Sequence, residues 1–434
     1  MKRERPLVAS MVEQVKLPKM FRARQAFPRP KIPVEEIPAR VRNILEVKKI
    51  AASIRPGMRI AITAGSRGIA NAARITKCIA DFVKERGGAP FVVPAMGSHG
   101  GATAEGQREI LAGYGIVEDY IGCPICSSME VVEIGKNEEG SAVFIDKFAA
   151  NADGIIINCR IKPHTAFRGP YESGIMKMMA IGLGKQYGAE ACHEAGFKSM
   201  AKNVPLFGKA ILKYAPVLFA VATIENAYDE TCKLVAVPAD EVIEREPPLL
   251  VEAFGLMPRI LVDSCDVLVV DHIGKNFSGD GMDPNITGTF CTPYASGGIK
   301  AQRVCVLDLS PETHGNGIGL GYSSATTMRV FKKLDLSSMY PNAITCTVLG
   351  GVRIPIVMES DREAIAVCVK TCNEIDKNAP RIVRIPNSLH IEHILLSESY
   401  YGMAKNIEGL TIESEPKEMK FDENGDLLQR GQKI

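Results

Sequence analysis

Short apolar runs alternate with glycine-rich turns and amphipathic stretches along the chain, a pattern typical of alternating strands and helices. Strand-like runs begin at Met58, Pro90 and Gly154. The first two lead into glycine-rich loops and helical patterns, and the first of these helices extends from Ile69 to about Arg86. This order predicts a parallel α/β sheet.

The second half repeats this alternation after an acidic, proline-containing stretch at 240–258. Its predicted strands and helical segments are 266–270, 304–308, 325–333 and 363–377. A chain of 434 residues exceeds one ordinary core, because domains usually hold about 150–200 residues. We therefore predict two α/β domains, 1–258 and 259–434, with mostly parallel sheets, an active-site cleft between them and a polar, peripheral C-terminal tail.

Composition argues against several classes of partner. The net charge of +2 and the absence of Trp disfavour binding to nucleic acid or to a membrane surface. The N-terminus lacks a signal-peptide pattern, and the longest apolar stretch, about 214–224, is shorter than the roughly 20 residues that span a bilayer. The 12 cysteines, with the Cys123–Cys126 pair among them, are then expected to be reduced. We predict a soluble, cytoplasmic protein that binds a small molecule.

Two glycine-rich loops follow predicted strands, at 65–68 (GSRG) and 97–101 (GSHGG). Ligands of open α/β sheets bind at the carboxyl ends of strands, so Arg67 suits a phosphate or a carboxylate. His99 lies between glycines, where packing gives little reason for an imidazole. Neither loop matches a P-loop or a GxGxxG motif, and tight turns with a capping histidine are the alternative.

Basic residues alternate along an extended segment at Arg160, Lys162 and His164, so that all three point to one face. Such a face suits an anion, and a solvated sheet edge is the alternative. Lys177 lies in an apolar run, where it is either a nucleophile favoured by desolvation or a lysine that extends to solvent from a buried helix. His193 follows after three glycines, and a fold in the chain could bring it to Lys177.

The order of these side chains resembles the lactate racemase family, whose members are 2-hydroxyacid racemases and epimerases that use a nickel-pincer nucleotide. The specific part is Pro163-His164, then Ser-Gly-x-x-Lys at 173–177, then His193. The resemblance covers most of the chain, and the segment 274–285 is similar to the start of the family's second domain.

The resemblance implies that Lys177 carries the cofactor, a pyridinium thioamide/thiocarboxylate mononucleotide, covalently, and that His193 is the protein ligand to nickel. His99 and His164 would exchange the substrate's hydroxyl proton from opposite sides, while hydride leaves C2 for the cofactor and returns to the other face of a planar 2-keto acid. Arg67 would hold the carboxylate. The residues implied near the nucleotide are Gly65, Ser66, Arg67, Gly68 and Lys162. Enzymes of cofactor synthesis would be transient partners.

The sequence departs from the lactate-specific pattern near Ala64, Gly288 and Cys291, where the family has an acidic residue, a glutamine and a lysine. The approach to Lys177 is also longer than the family's. These positions concern substrate and phosphate contacts. The departures disfavour lactate and favour a larger 2-hydroxy acid, including a sugar acid.

Two other functions stay open. A zinc- or iron-dependent hydroxy-acid lyase or hydrolase would need a third protein ligand, for which His272 is a candidate, and it leaves Lys177 without a role. A non-catalytic nucleotide-binding protein would explain the glycine-rich loops and Arg67 but not the two histidines.

Overall fold

The computed structural model describes residues 5–431, except for the side chains of Asn342 and Thr345. The chain divides into two compact units, one of Pro28–Met257 and one that joins Met1–Phe27 to Pro258–Ile434. The predicted domain 1–258 therefore differs from the first unit at its N-terminus. The physical reason is the strand Met20–Gln25, which pairs antiparallel with His393–Ser397 of the second unit.

The strands match the predicted runs closely in the first half of the chain. Within residues 5–431 the strands are β1 Met20–Gln25, β2 Arg59–Ala64, β3 Ala89–Pro94, β4 Val131–Lys136, β5 Ala142–Asp146, β6 Gly154–Arg160, β7 Val217–Glu225, β8 Thr231–Pro238, β9 Ser264–Ile273, β10 Lys300–Leu309, β11 Ala325–Thr327, β12 Ile356–Met358, β13 Ile382–Ile385, β14 His393–Ser397 and β15 Leu410–Ile412.

The helices connect these strands. Within the same residues the α-helices are α1 Pro6–Val12, α2 Ile37–Leu45, α3 Lys48–Ala51, α4 Ala72–Glu85, α5 Ala104–Gly113, α6 Glu118–Ile121, α7 Lys147–Ala150, α8 Ile175–Lys177, α9 Lys185–His193, α10 Met200–Tyr214, α11 Val242–Leu256, α12 Pro284–Thr287, α13 Met328–Lys333, α14 Leu336–Thr345, α15 Asp361–Thr371 and α16 Tyr401–Ala404. None of the helices described in this part of the chain has the length and apolar character needed to cross a bilayer.

The sheet of the unit Pro28–Met257 has the strand order β3-β2-β6-β7-β8. The first four strands run parallel and β8 adds an antiparallel edge. In β6, Ile155 and Ile157 pack in one hydrophobic cluster and Ile156 in another, because successive side chains of a strand point to opposite faces. Burial on both faces is typical of a parallel sheet covered by helices. The predicted α/β sheet is confirmed.

The sheet of the other unit has the order β12-β11-β10-β9-β13-β14-β1-β15, in which the first five strands run parallel. The helix predicted over 325–333 is wrong at its start. Its first three residues form β11, which pairs with β10, and Thr327 then caps α13 by accepting the Val330 N–H.

The polar tail is mostly exposed up to Arg430, and a few contacts dock it onto the rest of its unit. Leu427 is buried, and its N–H donates to Asp361 Oδ2 at 2.9 Å. The Arg430 guanidinium lies 2.8 Å from the same carboxylate oxygen, and the Gly431 N–H donates to Asp271 Oδ2 at 2.8 Å. Buried carboxylates far away in sequence hold this polar segment, and composition alone does not reveal such contacts.

Candidate functional site

Three predicted site residues follow neighbouring parallel strands. Arg67 lies in the loop after β2, His99 in the loop after β3 and His164 just beyond β6. Because β3, β2 and β6 are adjacent and parallel, their carboxyl ends meet at one edge of the sheet. The fold therefore gathers side chains that are far apart in sequence.

The loops after β2 and β3 contact each other through Ser66 and His99. The Ser66 hydroxyl is hydrogen-bonded to Nδ1 of His99, and the Tyr114 hydroxyl donates to the Ser66 carbonyl at 3.0 Å. The resemblance implies that Ser66 lies near the nucleotide. In the structure, its hydroxyl also orients the His99 imidazole. Arg67, Gly68 and His99 are exposed, as groups that meet a ligand must be.

A buried glutamine supports the His99 loop from below. Thr103 caps the start of α5 by accepting the Gly106 N–H, and Gln107 lies buried on the first turn of that helix. Its Nε2 atom donates to the carbonyls of Gly97 at 2.9 Å and of His99 at 3.2 Å. Its Oε1 atom accepts from Lys185 Nζ at 3.0 Å.

Lys185 connects this support to the helix of His193. It is the first residue of α9, and its ammonium lies 3.3 Å from the Asp146 carboxylate in a fully buried ion pair. The same network thus fixes the His99 loop and the start of the helix that ends at His193. The sequence does not reveal this network, because the partners of Lys185 lie far from it along the chain.

The loop from Lys162 to Ser173 is closed at its base, where the two residues form an antiparallel bridge with N···O distances of 2.9 and 3.2 Å. Inside the loop, the buried carboxylate of Glu172 accepts the N–H of His164 at 2.6 Å and of Gly169 at 3.2 Å. Buried N–H groups of a loop need such acceptors. Glu172 therefore holds His164 in position.

The His164 ring packs against Phe167 with ring centroids 4.5 Å apart. Its Nδ1 accepts the Ala166 N–H at 3.0 Å, so the neutral ring carries its proton on Nε2. Burial is the main cause that lowers the pKa of His164 well below its usual value of 6.5. Electrostatic interactions with Lys177, His193, Arg168 and Arg67 lower it further. Side chains from three other segments of the chain, Lys177, His193 and Arg67, thus lie within electrostatic range of this imidazole.

A π-helical turn, Met178–Leu183, separates Lys177 from the helix of His193. This turn agrees with the expectation that no single straight helix connects the two residues. Burial, and to a smaller extent the charge of Lys177, lower the pKa of His193, while the hydrogen bond to Ala189 acts in the opposite direction. Lys177 therefore lies within electrostatic range of both His164 and His193.

The donor set fits the cofactor that the resemblance implies. His193 Nδ1 lies 2.6 Å from the Ala189 carbonyl, which assigns its proton to Nδ1 and leaves the lone pair for a metal on Nε2. The lowered pKa keeps this ring neutral, as a ligand must be. Among the described residues no cluster of three or more His, Cys, Asp or Glu side chains could hold a metal. His272, the candidate third ligand of the alternative metalloenzyme, joins no such cluster among these residues.

Some residues differ from their predicted setting. Arg160 forms an ion pair with the nearly buried Glu225, so the basic face is reduced to Lys162 and His164. Ala64 is buried in a hydrophobic cluster. Gly288 has a φ of +74°, and a Cβ there would lie 2.4 Å from the Ile299 carbonyl oxygen, so its backbone requires glycine.

The low pKa of His164 predicts an acid-sensitive fold. The unfolded chain, with a histidine pKa of about 6.5, binds the proton first as the pH falls, so His164 lowers the free energy of unfolding below that pH. Urea unfolding at pH 7.5 and about 5.5 should show a smaller acid loss in His164→Gln, by up to about 1.4 kcal/mol per pH unit. The exposed His390→Gln should match the wild type, and an equal acid loss in all three proteins would contradict this expectation.

Comparison with known proteins points to one family. Residues 9–204, which include every predicted site residue, match the model of the lactate racemase N-terminal domain. No curated protein matches the chain. The lactate racemase apoprotein from Thermoanaerobacterium thermosaccharolyticum is 14% identical over 84% of this chain and 94% of its own, with a TM-score of 0.50. A Thermotoga maritima protein from structural genomics is 12% identical over 81% and 94%, also with a TM-score of 0.50.

At these identities the two structures establish the likeness of fold, and the domain match carries the relationship in sequence. The match begins in the N-terminal segment and ends in α10, so it includes the strands and loops that build the site. Residues 9–204 of this chain are therefore assigned to the lactate racemase N-terminal domain, and the fold is similar to that of a lactate racemase apoprotein.

Proposed function

We propose that the protein is a racemase or epimerase that inverts C2 of a 2-hydroxy acid by reversible hydride transfer, with a nickel-pincer nucleotide tethered to Lys177. The observation that carries this proposal is the convergence of Lys177, His193 and Arg67 on His164 from separate segments. The match of residues 9–204 to the lactate racemase N-terminal domain supports an isomerase of this general type. A cytoplasmic location and transient contact with the enzymes of cofactor synthesis belong to the same proposal.

The cofactor, when bound, supplies the acceptor for the C2 hydride. Lys177 would hold it covalently, and His193 would bind nickel through Nε2. The loop at 65–68 and Lys162 would lie beside the nucleotide. Arg67, which is exposed at the same sheet edge, binds the substrate carboxylate, because a guanidinium matches two carboxylate oxygens.

The two histidines divide the proton chemistry, since the two enantiomers present their hydroxyl groups on opposite sides. His99, which Ser66 orients, exchanges the hydroxyl proton on one side. His164 donates a hydrogen bond from Nε2 to the oxygen on the other side. The bound carboxylate offsets the neighbouring cations and raises the pKa of His164 toward the range in which it also exchanges a proton.

The proposed substrate is larger than lactate. Cys291 stands where the family has a lysine, and burial raises the pKa of its thiol to about 12, so this position offers an anion no positive charge. Ala64 offers no carboxylate. A longer hydroxy acid, including a sugar acid, would not need the contacts that the family's lysine and acidic residue make with lactate.

Inversion in deuterated water tests the reaction. Holoenzyme given one enantiomer of each acid should yield the other with protium retained at C2, and the best larger acid should exceed lactate in rate. His99→Gln and His164→Gln should each lower kcat by about 100-fold or more, because each removes an acid–base group. Deuterium washed into C2 would contradict hydride transfer and indicate carbanion chemistry.

A further inference from the structure

The segment before Lys177 docks on α11 at an irregular point of that helix. Pro247 has no N–H, so the carbonyl of Ile243, four residues earlier, lacks its usual helical donor. The hydroxyl of Tyr171 donates to this carbonyl at 2.7 Å. In the sequence the prolines suggest a domain boundary, whereas in the structure Pro247 frees an acceptor for the lysine-bearing segment.

The carboxylate of Glu246, next to Pro247, caps the short helix that ends at Lys177. Glu246 is 1% exposed, and its Oε2 accepts the Met176 N–H at 2.9 Å, with the Ile175 N–H as a second donor. First-turn N–H groups have no acceptor inside their own helix. The α-helical turn Ile175–Lys177 continues directly into the π-helical turn Met178–Leu183, so this outside acceptor fixes where the helical segment begins.

Gly174 leaves the space that this carboxylate occupies. A Cβ at position 174 would lie 2.1 Å from Glu246 Oε1, well inside van der Waals contact. Any other residue would therefore displace the carboxylate from the N–H groups that it accepts. This steric limit explains why the Ser-Gly-x-x-Lys pattern has glycine at position 174 in this chain.

No cation among the described residues contributes to the pKa of Glu246, which burial raises to about 7 against the two backbone hydrogen bonds. Burial of a carboxyl group without a cationic partner is unfavourable. Instead, the Glu246 carboxyl group accepts hydrogen bonds from the backbone N–H groups of Ile175 and Met176, which directly precede Lys177. These hydrogen bonds therefore fix the position of the segment that carries Lys177.

We propose that Glu246 is a positioning residue for Lys177 and that it orients the lysine for attachment of the cofactor. The role in cofactor attachment rests on the proposed function. The positioning of Lys177 rests only on the contacts of Glu246 with Gly174, Ile175 and Met176.

Chemical labelling of the apoprotein tests the geometry without any cofactor. Reductive methylation with formaldehyde and borohydride, followed by peptide mass spectrometry, reports the rate at Lys177 against the exposed Lys198. Glu246→Ala should raise the rate at Lys177 about fivefold, since a lost cap loosens the turn. Glu246→Gln keeps an acceptor oxygen and should change it less than about twofold. Glu252→Ala, an exposed ion-paired residue of the same helix, should match the wild type.

Attachment is then measured by intact mass after co-expression with the cofactor-making enzymes and nickel. Glu246→Ala should carry about one-tenth of the wild-type adduct, and Glu246→Gln should restore most of it. A folded Glu246→Ala protein that labels and loads like the wild type would overturn the inference. If this variant does not fold, Tyr171→Phe replaces it, and wild-type labelling of Lys177 there would overturn the inference equally. A wild-type protein that never gains an adduct contradicts the proposed function, while the labelling rates still decide the role of Glu246.

Discussion

Replacing Lys177 with arginine is expected to abolish covalent attachment of the cofactor and to reduce racemisation to the level of the apoprotein. Arginine keeps the positive charge beside His164 and His193, so the electrostatic setting of both rings persists. A guanidinium stays protonated and is no nucleophile at neutral pH. Intact-mass analysis after co-expression with the cofactor-making enzymes should find one adduct on the wild type, at Lys177, and none on the variant.

The matched control is Lys198→Arg, at an exposed lysine beyond the His193 helix, which should keep both adduct and activity. Co-expression is essential, because isolation from a host without these enzymes yields apoprotein in every case. An adduct on Lys177→Arg, or racemisation at the wild-type rate, would contradict the role of the lysine as the tether.

The second large effect concerns stability. Lys185→Met should lower the free energy of unfolding by about 3–5 kcal/mol, because it leaves the carboxylate of Asp146 buried without its cation. It also removes the donor to Gln107, whose amide holds the carbonyls of Gly97 and His99. Urea unfolding at pH 7 measures the change, and a lower kcat in the folded fraction would report the loosened His99 loop.

The neighbouring ion pair of Lys147 and Glu130 provides the control. Its charged atoms are closer, at 2.7 Å, but the side chains are 32% and 73% exposed. Lys147→Met should therefore change the free energy of unfolding by only about 0–1 kcal/mol. Combining Lys185→Met with Asp146→Asn should recover part of the loss, since no buried charge is then left alone. Equal losses in Lys185→Met and Lys147→Met would contradict the importance of burial.

Much of the local structure follows from the sequence. The strands that begin near Met58, Pro90 and Gly154 form close to their predicted positions, because apolar periodicity acts over a few residues. The strand Met20–Gln25 escapes prediction because its partners lie near residue 395. The helix Val242–Leu256 escapes it because two prolines interrupt its hydrogen bonds, and tertiary contacts overrule their local preference.

By itself, the sequence determined which residue types follow the carboxyl ends of β2, β3 and β6, and the family pattern singled out Lys177 and His193 in the segments beyond them. Only the tertiary structure decided what holds them. Glu172, Glu246 and Lys185 look unremarkable in sequence, yet each is buried and bonds to a site segment. A buried polar group must find a partner, and that partner is set by packing rather than by nearness in sequence.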